Sequence, residues 1–195
     1  MHNSEYDLLE ALAEPYCSIC YMARRAARAY LEGVFADGIN DLVVRDDWRR
    51  RGGLCSRHWQ EVRELDSPML SATILLQDLL PSRLAFLQKA PWRPPDCPAC
   101  AVEAKAELRY LSALQQIPQW QVAAAWEVGK GFLCLKHLSQ LPDGSLRSLF
   151  SGRIKDLLNE LAELERKNDY RYIHEPIDKE GDSWLRAIRA LGGEV

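Results

Sequence analysis

The sequence has little that marks a membrane, an export route or a nucleic-acid partner. No uninterrupted apolar stretch approaches the roughly 20 residues that cross a bilayer. The segment Met1-His2-Asn3-Ser4-Glu5-Tyr6-Asp7 is polar and acidic, without the basic start and apolar run of a secretory leader. Positive charge is not in excess: 25 Lys and Arg stand against 28 Asp and Glu, a formal net charge of −3. No global field therefore attracts a polyanion. These absences predict a cytoplasmic protein that binds neither membrane nor nucleic acid. A glycine-rich phosphate loop, a dinucleotide fingerprint and an HExxH helix are also missing. No alternating apolar–polar run is long enough to argue for a strand. Cysteine is absent everywhere except in two clusters.

Those clusters are a metal-ligand quartet that occurs twice. Cys17-Ser18-Ile19-Cys20 is followed by Cys55-Ser56-Arg57-His58, and Cys97-Pro98-Ala99-Cys100 by Cys134-Leu135-Lys136-His137. Cys55 lies 35 positions after Cys20, and Cys134 lies 34 positions after Cys100. All six cysteines and two of the four histidines fall in these quartets. Three soft thiolates and one imidazole suit a tetrahedral zinc ion, and a filled four-ligand shell leaves no position for an activated water. In a reducing compartment such thiols serve metals more often than disulfides. The spacing predicts two structural zinc ions. Cys17, Cys20, Cys55 and His58 would hold one, and Cys97, Cys100, Cys134 and His137 the other. The equal gaps argue for closure within each quartet. Three thiolates and a divalent cation sum to −1. Arg24, Arg25 and Arg57 at the first site and Lys105 and Lys136 at the second are the cations placed to offset it. Two [4Fe-4S] clusters ligated by three cysteines and one histidine each are the alternative, implying electron transfer. A thiol-based redox sensor that releases zinc on oxidation is another.

The repeat extends beyond the ligands. At an offset of 80, Tyr30-Leu31 matches Tyr110-Leu111, and at 79, Gly52 matches Gly131 and Leu54 matches Leu133. This self-similarity indicates duplication of one supersecondary unit. The chain divides into a first metal-binding helical unit (1–90), a second (91–168) and a C-terminal helical extension (169–195), with the proline-rich 91–95 as connector. The reading is all-α throughout. Residues 20–36 and 100–116 carry apolar residues at helical spacing. Each CxxH opens a short helix after a glycine, and each unit ends in a longer helix. Ile154, Leu157, Leu158, Leu161 and Leu164 form the stripe of the second such helix, better suited to packing within the chain than to a coiled coil. Pro81 should kink or interrupt the first. The run Arg45-Asp46-Asp47-Trp48-Arg49-Arg50-Arg51 reads as a solvated helix end whose arginines face carboxylates. The six tryptophans read as core packing around the metal sites.

The two CxxC…CxxH units, the Gly131-Phe132-Leu133-Cys134-Leu135-Lys136-His137 string, and the tail Asp169-Tyr170-Arg171-Tyr172 … Glu175-Pro176 … Gly181-Asp182-Ser183-Trp184 together resemble an uncharacterised bacterial family with a domain of unknown function. The resemblance implies that the eight ligand positions belong together and brings no activity with it. The first unit departs from it with Gly53 where the second has Phe132, a difference expected to affect packing beside the ligand. No residue set outside the quartets forms a catalytic group, so a non-catalytic binding or regulatory protein with a protein partner is expected.

Overall fold

The computed structural model describes residues 3–129 and 131–192. Among the described residues ten α-helices follow one another: α1 (Asn3–Ala11), α2 (Ser18–Ala36), α3 (Leu42–Arg51), α4 (Ser56–Val62), α5 (Met69–Leu87), α6 (Pro98–Gln116), α7 (Gln119–Val128), α8 (Leu135–Ser139), α9 (Ser145–Lys167) and α10 (Ser183–Gly192). Single 3-10 turns occupy Gly38–Asn40 and Lys179–Asp182. Among the described residues the only extended pairing is an isolated bridge between Cys17 and Phe132. The fold is all-α, as composition and periodicity predict.

Local chemistry sets the helix ends. Asp41 caps α3, its carboxylate accepting the Val43 N–H at 2.8 Å. Gly52 stops the same helix at φ 82°, a conformation only glycine adopts at no steric cost. Pro98 opens α6 at the first helical position, where its missing N–H costs nothing. Pro81 neither breaks nor ends α5, which continues through it to Leu87. The expected interruption is thus corrected: Pro81 and Gln77, whose carbonyl loses its helical donor, both lie on the exposed side, where water can satisfy that oxygen.

The described residues fall into two compact bodies. The first comprises the chain up to Met22 together with the chain from Glu107 onward, and the second is Ala23–Ala106. In the first, α9 packs on α7, α8 and α10, and α1 on α7. Leu8, Leu12, Leu133, Leu141 and Phe150 are fully buried there. Trp126 stacks on Phe150 at 5.1 Å between centroids. The stripe on α9 packs within the chain, burying Leu157 while Leu158 stays exposed.

In the second body α3 packs on α5. Its core holds Leu31, Phe35, Trp48, Leu54, Leu75 and Leu79. Trp48 is fully buried, meets Phe35 and Trp59 edge-on, and donates its indole N–H to Tyr30 Oη at 2.9 Å. The expectation that tryptophans line the core holds for Trp48 and Trp126. Trp92, Trp120 and Trp184 are exposed. The arginine run of α3 is internally neutralised: Arg49, Arg50 and Arg51 pair with Asp46, Asp47 and Asp96, and Arg45 with Asp78.

Candidate metal centres

One local device builds all four ligand pairs. Cys17, Cys55, Cys97 and Cys134 each immediately precede a helix. Their carbonyls accept the first helical hydrogen bonds, from Tyr21, Trp59, Ala101 and Leu138 at 2.8–3.2 Å. The second ligand sits three residues on, in the first helical turn. Residues at the N-cap and three positions later lie on one side of that turn, so both donor atoms meet at one point. The CxxC pairs open the long helices α2 and α6, whose N-termini favour negative sulfur. The CxxH pairs open the short helices α4 and α8.

The pairs combine differently from the expectation. Cys17 and Cys20 meet Cys134 and His137, while Cys97 and Cys100 meet Cys55 and His58; within each set all donor atoms lie within 4.8 Å of one another. Each CxxC therefore closes on the CxxH of the other sequence repeat, and closure inside each quartet is corrected. The reason lies in the helices. From Ser18, α2 runs 19 residues, and its later residues Ala27, Leu31, Val34 and Phe35 pack into the second body's core. The first CxxH, on α4, folds onto that core rather than back to Cys17. Backbone hydrogen bonds lock the exchange. In the first body Ser18 donates to the Phe132 carbonyl at 3.3 Å and Phe132 to that of Tyr16 at 3.2 Å. In the second, Asp96 donates to the Arg51 carbonyl at 2.9 Å.

The spacing has the dimensions of a single four-coordinate ion. In the first centre Cys20 Sγ lies 3.8 Å from Cys134 Sγ, and His137 Nδ1 is 3.4 Å from Cys17 and Cys20 and 3.3 Å from Cys134. In the second, Cys55 Sγ lies 3.7 Å from Cys100 Sγ, and His58 Nδ1 is 3.3 Å from Cys55 and Cys97 and 3.4 Å from Cys100. Zinc bonds of about 2.3 Å to sulfur and about 2.0 Å to nitrogen set tetrahedral edges of about 3.8 Å between sulfurs and about 3.5 Å from sulfur to nitrogen. The one sulfur–sulfur edge and three sulfur–nitrogen edges given for each centre agree with these values to within about 0.2 Å. All six cysteines are free thiols. A disulfide would need sulfurs about 2.05 Å apart.

Electrostatics in both centres favours a cation. Burial works against a charged imidazole, but Cys97 and Glu103 outweigh it and raise His58 to about 10. Cys134 and Cys17 do the same for His137, also to about 10. Burial pushes the Cys97 thiol up, yet His58 and backbone N–H groups bring it down to about 6. The Cys134 thiol is lowered by its hydrogen bonds with Cys17 and Cys20. In each centre one thiol is thus held low beside an imidazole held high, while hydrogen bonds with Cys134 and Cys17 push Cys20 up and burial with the neighbouring sulfurs pushes Cys100 up to about 12; a divalent cation would displace these protons on binding.

Two glutamates that sequence reasoning missed complete the centres. Both imidazoles are fully buried, with Nδ1 toward sulfur and Nε2 without a hydrogen bond. His58 Nε2 lies 3.6 Å from Glu103 Oε1, and His137 Nε2 lies 3.5 Å from Glu107 Oε1. Glu103 is gripped by both terminal nitrogens of Arg57, and Glu107 by Lys136 at 2.7 Å. Burial would raise the Glu103 carboxyl, but His58 and Arg57 hold it to about 2. The basic residue before each ligand histidine thus holds the carboxylate that faces that histidine. Arg57 was expected near Cys17; it stands at the centre of Cys97 and Cys100. The sequence signal was faint: a basic residue just before each ligand histidine, and Glu103 three residues after Cys100.

No family model matches the sequence, and no solved structure matches it. The chain is similar to an uncharacterized 23.9 kDa protein in the xynA 3' region of Caldicellulosiruptor sp. (strain Rt8B.4). The two are 28% identical over 210 residues, which cover 95% of this chain and 99% of the relative. That near-complete overlap supports an uncharacterised family.

Proposed function

We propose that this protein binds two zinc ions as structural centres and serves as a non-catalytic binding or regulatory protein in the cytoplasm. One observation carries the reading: eight donors, separated by up to 120 positions, gather into two Cys3His sets with tetrahedral edges. Four protein donors fill the shell of a zinc ion, which favours scaffolding over hydrolysis. In a [4Fe-4S] cluster each ligand binds a different iron, so the donors spread around the outside of the cluster. Donor atoms within 4.8 Å of one another leave room for one ion at their centre and not for a cubane. The redox-sensor reading has one supporting feature, the partial exposure of Cys55 and Cys100, whose sulfurs are 3.7 Å apart. Burial of the other four thiols speaks against it.

Elemental analysis with an absorption spectrum of untagged protein, purified anaerobically, tests the proposal. The expected result is two zinc ions per chain and no visible absorption. Iron with inorganic sulfide and a brown colour would contradict it.

A further inference from the structure

The helix α5 is apolar on both sides. One side seats Leu75 and Leu79 in the core of the second body. The Ser71 hydroxyl donates to the Phe35 carbonyl at 2.7 Å, and Asp78 pairs with Arg45 at 2.7 Å. The opposite side leaves Met69 79% exposed, Leu80 65% and Leu84 61%, with Leu76 and Leu87 also exposed. These residues, with Thr73, recur at intervals of three and four and so form one continuous face. Leu70 borders it, whereas Phe86, 37% exposed near the helix end, lies on the side of Leu75 and Leu79. The exposed area of the five apolar residues of this face and Leu70 comes to roughly 650 Å², approaching the ~800 Å² that each partner buries in a stable interface. Solitary exposed leucines need no explanation, but a contiguous patch of this size does.

The order of residues on this face indicates what covers it. About Asp78 the pattern is nearly palindromic: Met69 mirrors Leu87, Leu70 mirrors Phe86, and Leu76 mirrors Leu80. A two-fold interface needs a self-complementary patch, and an antiparallel helix pair centred on Asp78 sets Met69 opposite Leu87 and Leu76 opposite Leu80, with Leu84 opposite Ala72 and Thr73 opposite Arg83. The same arrangement brings exposed Asp66, before one helix, toward exposed Lys89, after its partner. The charged Asp78 faces inward to Arg45 and is not stranded in the contact. By length and composition α5 could also cross a membrane, although Gln77, Asp78 and Arg83 interrupt its apolar run. Its ion pair and buried leucines tie it to the protein, however. A helix lying on lipid would carry rows of Lys and Arg that this one lacks.

We propose that a second copy of this chain covers the exposed face of α5 through an antiparallel α5–α5 contact, making the protein a homodimer. This inference stands apart from the metal assignment. It is tested by light scattering on the full-length, metal-loaded chain from about 1 to 100 μM, the range in which moderate dimers dissociate. The expected mass is twice the 22.3 kDa of the chain, and Leu80→Glu or Leu84→Glu should yield monomers. Leu158→Glu, on the exposed side of α9, should leave the dimer intact. Circular dichroism and metal content on the same samples establish that each variant is folded. A wild-type monomer at 100 μM would overturn the proposal, as would a dimer insensitive to both α5 substitutions or one lost equally in Leu158→Glu. Flotation of monomeric wild type with phosphatidylcholine–phosphatidylglycerol vesicles, lost in Leu80→Glu, would also overturn it and assign the face to lipid.

Discussion

At the scale of single residues, the eight candidate donors that gather into two sets were legible because their chemistry restricts them. A thiolate or an imidazole at three-residue spacing has few other reasons to recur. Glu103 and Glu107 were not legible. On a helix surface a glutamate is unremarkable until the residue it faces is known, and each faces a histidine distant in sequence. Each carboxylate lies 3.5–3.6 Å from the Nε2 of its histidine, in the place from which an outer carboxylate, closing to a hydrogen bond, orients a ligating ring and raises its basicity. Glu107→Ala should weaken metal binding at the first centre about 10–100-fold, the usual cost of removing such a partner, and leave the second unchanged. Competition with a chromophoric chelator reads both affinities. An unaltered first centre would show that Glu107 only anchors Lys136.

At the scale of elements, helix starts carry the fold of the centres. The four Cys-first pairs were recognisable as turns because an N-cap and the third helical position face the same way. The approach between segments depends on two glycines, Gly129, whose Cβ would stand 2.4 Å from Ala13 Cα, and Gly131. A Cβ on Gly131 would stand 2.3 Å from the Leu12 carbonyl oxygen and 2.8 Å from its carbon, both backbone atoms that cannot swing aside. Gly131 also donates its N–H to that oxygen at 3.1 Å. Gly131→Ala should cost about 1–3 kcal/mol, as overpacking does, and displace Cys134 and His137 from Cys17. A denaturation curve should show the loss, and metal should be weakened at the first centre only. Gly152, with nothing within 4 Å of an added Cβ, is the matched control. Equal stability of Gly131→Ala and Gly152→Ala would refute the close approach. The sequence marks Gly131 by its match to Gly52, yet the two do different work. Gly52 ends a helix at positive φ, and Gly131 admits a neighbouring backbone. Gly53 departs from Phe132 for a comparable reason. It adopts φ 87° with Leu79 3.1 Å from its Cβ position, while Phe132 forms the bridge beside Cys17.

At the scale of the whole molecule, the duplication was visible but its closure was not. Equal gaps mark a repeated pattern in the sequence; they do not say which CxxC meets which CxxH. That choice belongs to α2 and α6, whose length carries the chain away from the CxxC at their start. The pairing therefore depended on packing of Leu31, Phe35 and Trp48, not on the ligand spacing. Paired substitutions, with metal counted per chain, test the crossed closure directly. Cys17→Ser with Cys134→Ser removes two ligands of one centre and should leave one metal ion bound. Cys17→Ser with Cys55→Ser removes one ligand from each centre and should leave none held tightly. The reverse outcome, one ion retained in the Cys17 and Cys55 pair and none in the Cys17 and Cys134 pair, would contradict the account.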